Sequence, residues 1–241
     1  MRARFEELAW AQTPIGEVSL RRRREPVTGT EVHEVKLGEE FLMSSMFTVA
    51  EEELARLALA RLGGRDLRVV VGGLGLGYTA RAVLEDDRVA ELVVVDALEP
   101  VIAWHQQGLV PLGPVLTADP RCHLVHGDFF AMSAAGGFDP DGTGALADAV
   151  IVDIDHSPQH LLADGSSSFY RREGTEALAG HLRPGGVYAL WSNDPPDESY
   201  LDILRSVFTD VVAEVVEFPN PLQDRTATNT VYLATRQVDQ R

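Results

Sequence analysis

Cysteine is nearly absent: Cys122 is the single one in 241 residues. Neither an internal disulfide framework nor a cysteine-based zinc cage can be built from it. Its place in the apolar stretch CHLVH marks it as a core residue. Long apolar runs are missing too. No stretch approaches the ~18 consecutive apolar residues of a membrane span, and MRARFEELAW carries no continuous apolar segment of the kind a secretory signal needs. The expectation is a cytoplasmic protein with no membrane partner. Positive charge is scarce as well, with 21 Lys and Arg against 37 Asp and Glu, a formal net charge of −16. Such a surface repels phosphate backbones and argues against broad nucleic-acid binding. It suits a cationic small substrate, or simply keeps the protein soluble; net charge alone does not separate the two. What is present is ordinary for a globular protein, 45% apolar and 24% charged. The length fits one full domain plus an accessory piece.

Residues 1–47 differ from the rest. Ile15, Val18 and Leu20 alternate and run into four arginines at 21–24, then Val32, Val35 and Leu37 continue the strand-like pattern, with Gly29 and Gly38 as turns. This predicts a small N-terminal β-hairpin domain. The arginine run reads as a solvated strand edge that discourages sheet-to-sheet pairing, the other reading being an anion patch. At Thr48 the pattern changes. Thr48 with Glu51 makes a capping box for a helix carrying Leu54, Leu57, Ala58 and Leu62 on one face, and Gly63 and Gly64 stop it. Strands then fit 67–71, 92–95, 123–125, 149–152 and 187–191, and helices fit 78–84, 99–107, 171–182 and 200–208. The strands are unbroken apolar runs, as expected when helices cover both faces of a mostly parallel sheet. The fold class is therefore α/β, a Rossmann-like domain over 48–241. Segments 211–218 and 228–235 would add an antiparallel hairpin at the sheet edge. Residues 134–147 read as a Gly-rich surface loop, and 157–169 as a lid.

The chemistry concentrates at the ends of the strands. In VVVGGLGLGYTARAVL a buried strand runs into Gly73, Gly75 and Gly77 and then into a helix. Glycines there let the backbone turn sharply and approach a ligand, and the helix N-terminus behind them offers free amides and a partial positive charge. Asp96 ends the second strand, nineteen positions after Gly77, where a carboxylate can accept both hydroxyls of a ribose. The combination points to a ribonucleoside-containing ligand, and the glycines can cradle a sulfonium side chain as readily as a phosphate. At the end of the third strand, HGDFF offers Asp128 for the exocyclic amine of adenine, or as a helix N-cap, with Phe129 as an apolar wall. AVIVDIDHSP supplies Asp153 and Asp155, which an extended segment would point to the same side of the same crevice. They could hold a cationic amine or act as a general base. His156 and His160 are four apart, but Pro158 between them disfavours a helix, so no metal pair is expected. In WSNDPPDES, Asp194 is a candidate for substrate contact, while Asp197 or Ser199 reads as a helix cap.

At these residues the chain resembles the spermidine synthase family and, more broadly, class I S-adenosylmethionine-dependent methyltransferases. The resemblance runs over most of the chain: the hairpin unit, the Gly-rich turn, Asp96, Asp128, Asp153, the LRPGG turn at 182–186 and the stretch TNTVYLA. It implies S-adenosylmethionine, its decarboxylated form or methylthioadenosine as the nucleoside, with Asp96 on the ribose, Asp128 beside the adenine and Asp153 as the catalytic aspartate. It also implies a homodimer. The departures are specific. The family's turn looks like Gly-Gly-Gly-Asp-Gly-Gly, and its acid helps to hold the aminopropyl amine; Leu76 stands at that position. The family's two aspartates after the fourth strand are three apart, whereas here the second is displaced to Asp155 with His156 in its place. The Tyr-His-Glu stretch is missing, and the chain reads FTVAEEELARLAL.

Three functions follow as expectations. The first is a transferase that binds S-adenosylmethionine and moves a methyl group to a small, cationic acceptor, with Asp153 orienting or deprotonating the nucleophile and Asp155 or Asp194 holding the substrate. The second is a divergent aminopropyltransferase using decarboxylated S-adenosylmethionine to make a polyamine. The third is a nonenzymatic nucleoside-binding protein on the same frame, since fold alone does not guarantee chemistry.

Overall fold

β5 (Leu67–Gly72) shows how the sequence builds the frame. All six of its residues are buried. Val69 and Val71 pack into one hydrophobic cluster and Val70 into another, because successive side chains of a strand leave opposite faces. A strand covered on both sides must be apolar throughout. The same holds for Leu92–Val95 of β6 (Val89–Asp96) and Ala149–Val152 of β8 (Ala147–Val152) on either side of it. With β7 (Cys122–His126), β9 (Leu182–Ser192), β10 (Thr209–Asn220) and β11 (Arg225–Thr235) they form a seven-stranded sheet in the order β10-β11-β9-β8-β5-β6-β7. The pairs from β9 to β7 are parallel, and β11 runs antiparallel to both β9 and β10, which gives the expected edge hairpin. The computed structural model describes residues 5–139, 144–162 and 164–238. Residues 140–143 of the Gly-rich loop and 163 of the expected lid lie outside the described residues.

One face of the sheet is covered by α1 (Val49–Ala60), α2 (Tyr78–Leu84), α3 (Glu99–Gln106) and α4 (Gly113–Ala118), the other by α5 (Phe129–Ala134), α6 (Arg172–Gly180) and α7 (Glu198–Arg205). β5 is flanked by strands reached in opposite directions along the chain. The crevice at its carboxyl end is therefore the topological switch point where such sheets bind ligands.

The N-terminal unit is larger than a hairpin. β1 (Phe5–Thr13), β2 (Gly16–Arg24), β3 (Glu31–Leu37) and β4 (Glu40–Ser44) form a four-stranded antiparallel sheet in chain order. Val18, Leu20 and Val35 join the cluster on the α1–α4 face. Two sequence expectations are corrected here. The arginines at 21–24 are not a strand edge, because β2 lies between β1 and β3. Arg22 pairs with Glu6 at 2.5 Å, and Arg23 with Glu34 at 2.7 Å and with Glu25. The capping box at α1 does not form either: Thr48 makes no side-chain cap, and its hydroxyl donates to Glu52 Oε1 at 3.1 Å. The Glu51 carboxylate accepts only from its own backbone amide and has no basic partner among the described residues.

Candidate active site

Four loops meet at the carboxyl edge of the sheet around a cavity of about 230 Å³. The first is the glycine turn after β5. Gly73 takes φ +94° and its amide donates to the Val95 carbonyl at 2.9 Å. A methyl group on Gly73 would overlap the Asp153 carbonyl oxygen, and one on Gly75 (φ +47°) would lie 2.6 Å from Met43 Sδ. Both glycines line the cavity. Gly77 does not; it is the left-handed cap of α2 at φ +90°, and a side chain there would meet Leu116 at 2.6 Å. Close approach of backbone to backbone and to Met43 and Leu116 is thus what all three glycines allow.

Asp96 ends β6 half-buried. Its Oδ2 accepts the Leu74 amide at 2.9 Å and its Oδ1 the Leu98 amide at 2.7 Å. Burial raises its pKa, and the amides of Leu98, Leu74 and Gly75 oppose that shift. Three amides on a carboxylate with about four acceptor positions leave accepting capacity toward the cavity it lines. Of the two roles left open in the sequence, Asp128 makes the helix cap. Its Oδ1 caps α5 by accepting from Phe130 at 2.9 Å and Ala131 at 3.1 Å, while the residue lines the cavity. Phe129 lines it too, stacked on Phe138 at 4.7 Å between ring centroids.

Asp153 follows β8, and its backbone amide is tied to the Gly72 carbonyl at 2.8 Å. The Thr79 hydroxyl donates to its Oδ2 at 2.6 Å. Burial pushes its pKa up to about 6, opposed by the Thr79 hydrogen bond. Glu51, in the first turn of α1, lines the same cavity. Burial first, and the charge of Asp153 second, push it up to about 8. No basic side chain pairs with Glu51 among the described residues. Two carboxyls this close to one another hold one negative charge more easily than two, and titrate as a pair.

Asp155 and Asp194 are placed differently from their expected roles. The strand ends at Val152 and the chain bends, so Asp155 is not held beside Asp153 on one side of an extended segment. It is 1% exposed. Its Oδ1 accepts the Leu162 amide at 2.7 Å and its Oδ2 the Tyr170 hydroxyl at 2.7 Å. This carboxylate is spent on holding the 157–169 segment, which itself adds Leu162 to the cavity wall, and a proton-handling role does not fit it. Tyr170→Phe should therefore lower stability by about 1.5–3 kcal/mol, the range for a hydrogen bond to a charged group. Urea unfolding measures it, and a loss below about 0.5 kcal/mol would contradict this account. Asp194 lies outside the cavity lining and pairs with His160 Nδ1 at 2.8 Å. His156 turns the other way, with Nε2 2.9 Å from Glu40 Oε1 on β4. The two histidines do not converge, and no group of three or more metal-ligating side chains occurs among the described residues.

No family model matches the chain. Over 162 residues, 61% of this chain, it is 33% identical to Polyamine aminopropyltransferase 2 of Pseudomonas aeruginosa, and the match spans 40% of that protein's length. The spermidine synthase of Thermotoga maritima aligns with TM-score 0.69 at 18% identity, covering 97% of this chain and 73% of the other. A spermidine synthase in complex with the transition-state analogue AdoDATO gives 0.72 at 18%, covering 97% and 74%. A probable spermidine synthase from Corynebacterium glutamicum gives 0.65 at 17%, covering 94% and 79%. The fold is that of the spermidine synthases.

Against the spermidine synthase pattern drawn from the sequence, the departures now have locations. Leu76 is buried in the core behind the turn, and its amide donates to Met43 Sδ at 3.0 Å. Nothing charged can be presented from that position. Four residues that shape the cavity carried no recognised signal. Met43 on β4 closes over the turn. His105, fully buried on α3, holds the turn from behind, its Nε2 2.9 Å from the Gly75 carbonyl oxygen. Trp191, at the end of β9, lines the cavity with a buried Nε1 that has no partner among the described residues. Glu51 is the fourth. Three consecutive glutamates at 51–53, where a capping box uses one, were the available sign.

Proposed function

We propose that the protein is an aminopropyltransferase that takes decarboxylated S-adenosylmethionine as donor and an amine as acceptor. The observation that carries this is the charge of the cavity wall. Among the described residues lining it, Glu51, Asp96, Asp128, Asp153 and Asp155 are acidic, and none is lysine or arginine. A donor with a sulfonium and an ammonium and no carboxylate suits such a wall. The carboxylate of S-adenosylmethionine itself would meet like charge with no cation to receive it. The 33% identity to a polyamine aminopropyltransferase supports the same reading over methyl transfer.

The residues fit the donor. Asp96 has free lone pairs for the ribose, Asp128 and Phe129 stand where an adenine would be framed, and Gly73 and Gly75 keep the floor free of side chains. When bound, the donor supplies a carbon activated by its sulfonium leaving group. Asp153 then has two tasks: to orient the acceptor nitrogen in line and to receive the proton that this nitrogen sheds.

Leu76 favours a second reading, methyl transfer from S-adenosylmethionine, because the family's partner for the aminopropyl amine is missing there. Calorimetry separates the two. Decarboxylated S-adenosylmethionine should bind at least about tenfold more tightly than S-adenosylmethionine, the factor that about 1.4 kcal/mol of charge discrimination gives. The reverse order would install the methyltransferase reading, and binding of neither would remove both.

A further inference from the structure

We propose that Glu51 is the carboxylate that holds the donor's ammonium group, supplying from α1 the charge that Leu76 does not supply from the glycine turn. This rests on the aminopropyltransferase reading above and gives it a residue in the stretch where the family's Tyr-His-Glu is missing.

The argument starts from what surrounds the side chain. Of the three glutamates opening α1, Glu52 is taken up by Arg81 at 2.9 Å, Arg56 at 2.9 Å and the Thr48 hydroxyl, and Glu53 by Arg56 at 3.0 Å. Glu51 alone of the three lines the cavity. Its titratable neighbours are Asp153 at the end of β8, Glu52 on its own helix, and Tyr78 at the start of α2. Arg81, the basic residue on α2, is already bound to Glu52 and Glu85. A half-buried carboxyl beside a second one, with no cation supplied by the protein, is an arrangement completed by a cation from outside. Glu51 lines the same cavity as Gly75, the residue next to Leu76 in the glycine turn.

Binding at this carboxylate should also depend on pH. With Glu51 pushed up to about 8, it carries a proton at neutral pH. An alkylammonium, with a pKa of about 10, keeps its own. Binding must then expel the Glu51 proton. Asp153, at about 6, is already ionised above pH 7, so the interval from pH 7 to 8.5 reports on Glu51.

The test is calorimetry on the full chain with two probes, decarboxylated S-adenosylmethionine and 5′-methylthioadenosine, which lacks the ammonium and the positive sulfur. Glu51→Gln should weaken the first by about ten- to a hundredfold, the usual range for losing a charged hydrogen-bond partner, and leave the second unchanged. Proton release on binding at pH 7, read from heats in buffers of different ionisation enthalpy, should disappear in Glu51→Gln and persist in Glu51→Asp. Equal loss for both probes, or none for either, would overturn the role of Glu51. The aminopropyltransferase reading would still stand if the wild type prefers the decarboxylated donor over S-adenosylmethionine. A wild type that binds methylthioadenosine but not the decarboxylated donor would overturn both.

Discussion

Asp153→Asn should lower turnover by about 10²–10⁴-fold, the range attributed to a positioned general base, with methylthioadenosine binding retained. The geometry gives the reason. Thr79 donates to one oxygen of Asp153 and fixes the plane of the carboxylate. The other oxygen has no hydrogen-bond partner among the described residues. Burial brings the group to about 6, close to the pH at which a base is both ionised and willing to accept a proton. Turnover per bound donor should therefore rise with pH through about 6, where Asp153 loses its proton, and Asp153→Asn should abolish that limb. Thr79→Val, which removes only the orienting bond, should have the smaller effect of the two. The amide keeps the volume and the hydrogen bond from Thr79, so a loss of activity with intact nucleoside binding cannot be traced to packing. A purely nucleoside-binding protein would show no turnover for the substitution to remove.

Gly73→Ala should destabilise the chain by about 4 kcal/mol, a value reached only where backbone strain and steric overlap combine. At φ +94° an L-residue is already outside its comfortable region, which accounts for about 1–2 kcal/mol. The rest comes from the Asp153 carbonyl oxygen, which the new methyl group would overlap. That oxygen cannot retreat, because the Asp153 amide is held by Gly72 and the Gly73 amide by Val95. Gly64 provides the control, having φ +81° but nothing within 4 Å of the added carbon. Gly64→Ala should thus show only the conformational part, about 1–2 kcal/mol. Urea unfolding of both variants decides the matter, and equal losses would mean that the contact with Asp153 contributes nothing.

Much of the frame could be read in advance because its information is local. β5, β6 and β8 are apolar runs, each followed within two residues by the glycine turn, by Asp96 or by Asp153, and a parallel sheet brings those ends together whatever the details. The parts that escaped are those whose identity depends on a distant partner. β1 is mostly exposed, with the pattern FEELAWAQT, and announces itself only by pairing with β2. Without it, the arginines at 21–24 look like an edge. Asp155 follows Asp153 at strand spacing, and only the bend after Val152 turns it inward to Tyr170. Glu51 and Met43 each lie more than twenty residues before the glycine turn, and no spacing rule connects them to it.

The sulfur of Met43 against the Leu76 amide, and the Glu40 carboxylate against His156, make the small sheet a structural roof over the cavity. A fragment beginning at α1 would keep every rung of the large sheet and still leave that cavity without its cover. Any attempt to transplant the larger unit onto another scaffold, or to exchange its front piece with that of a relative, would have to carry β4 along with it.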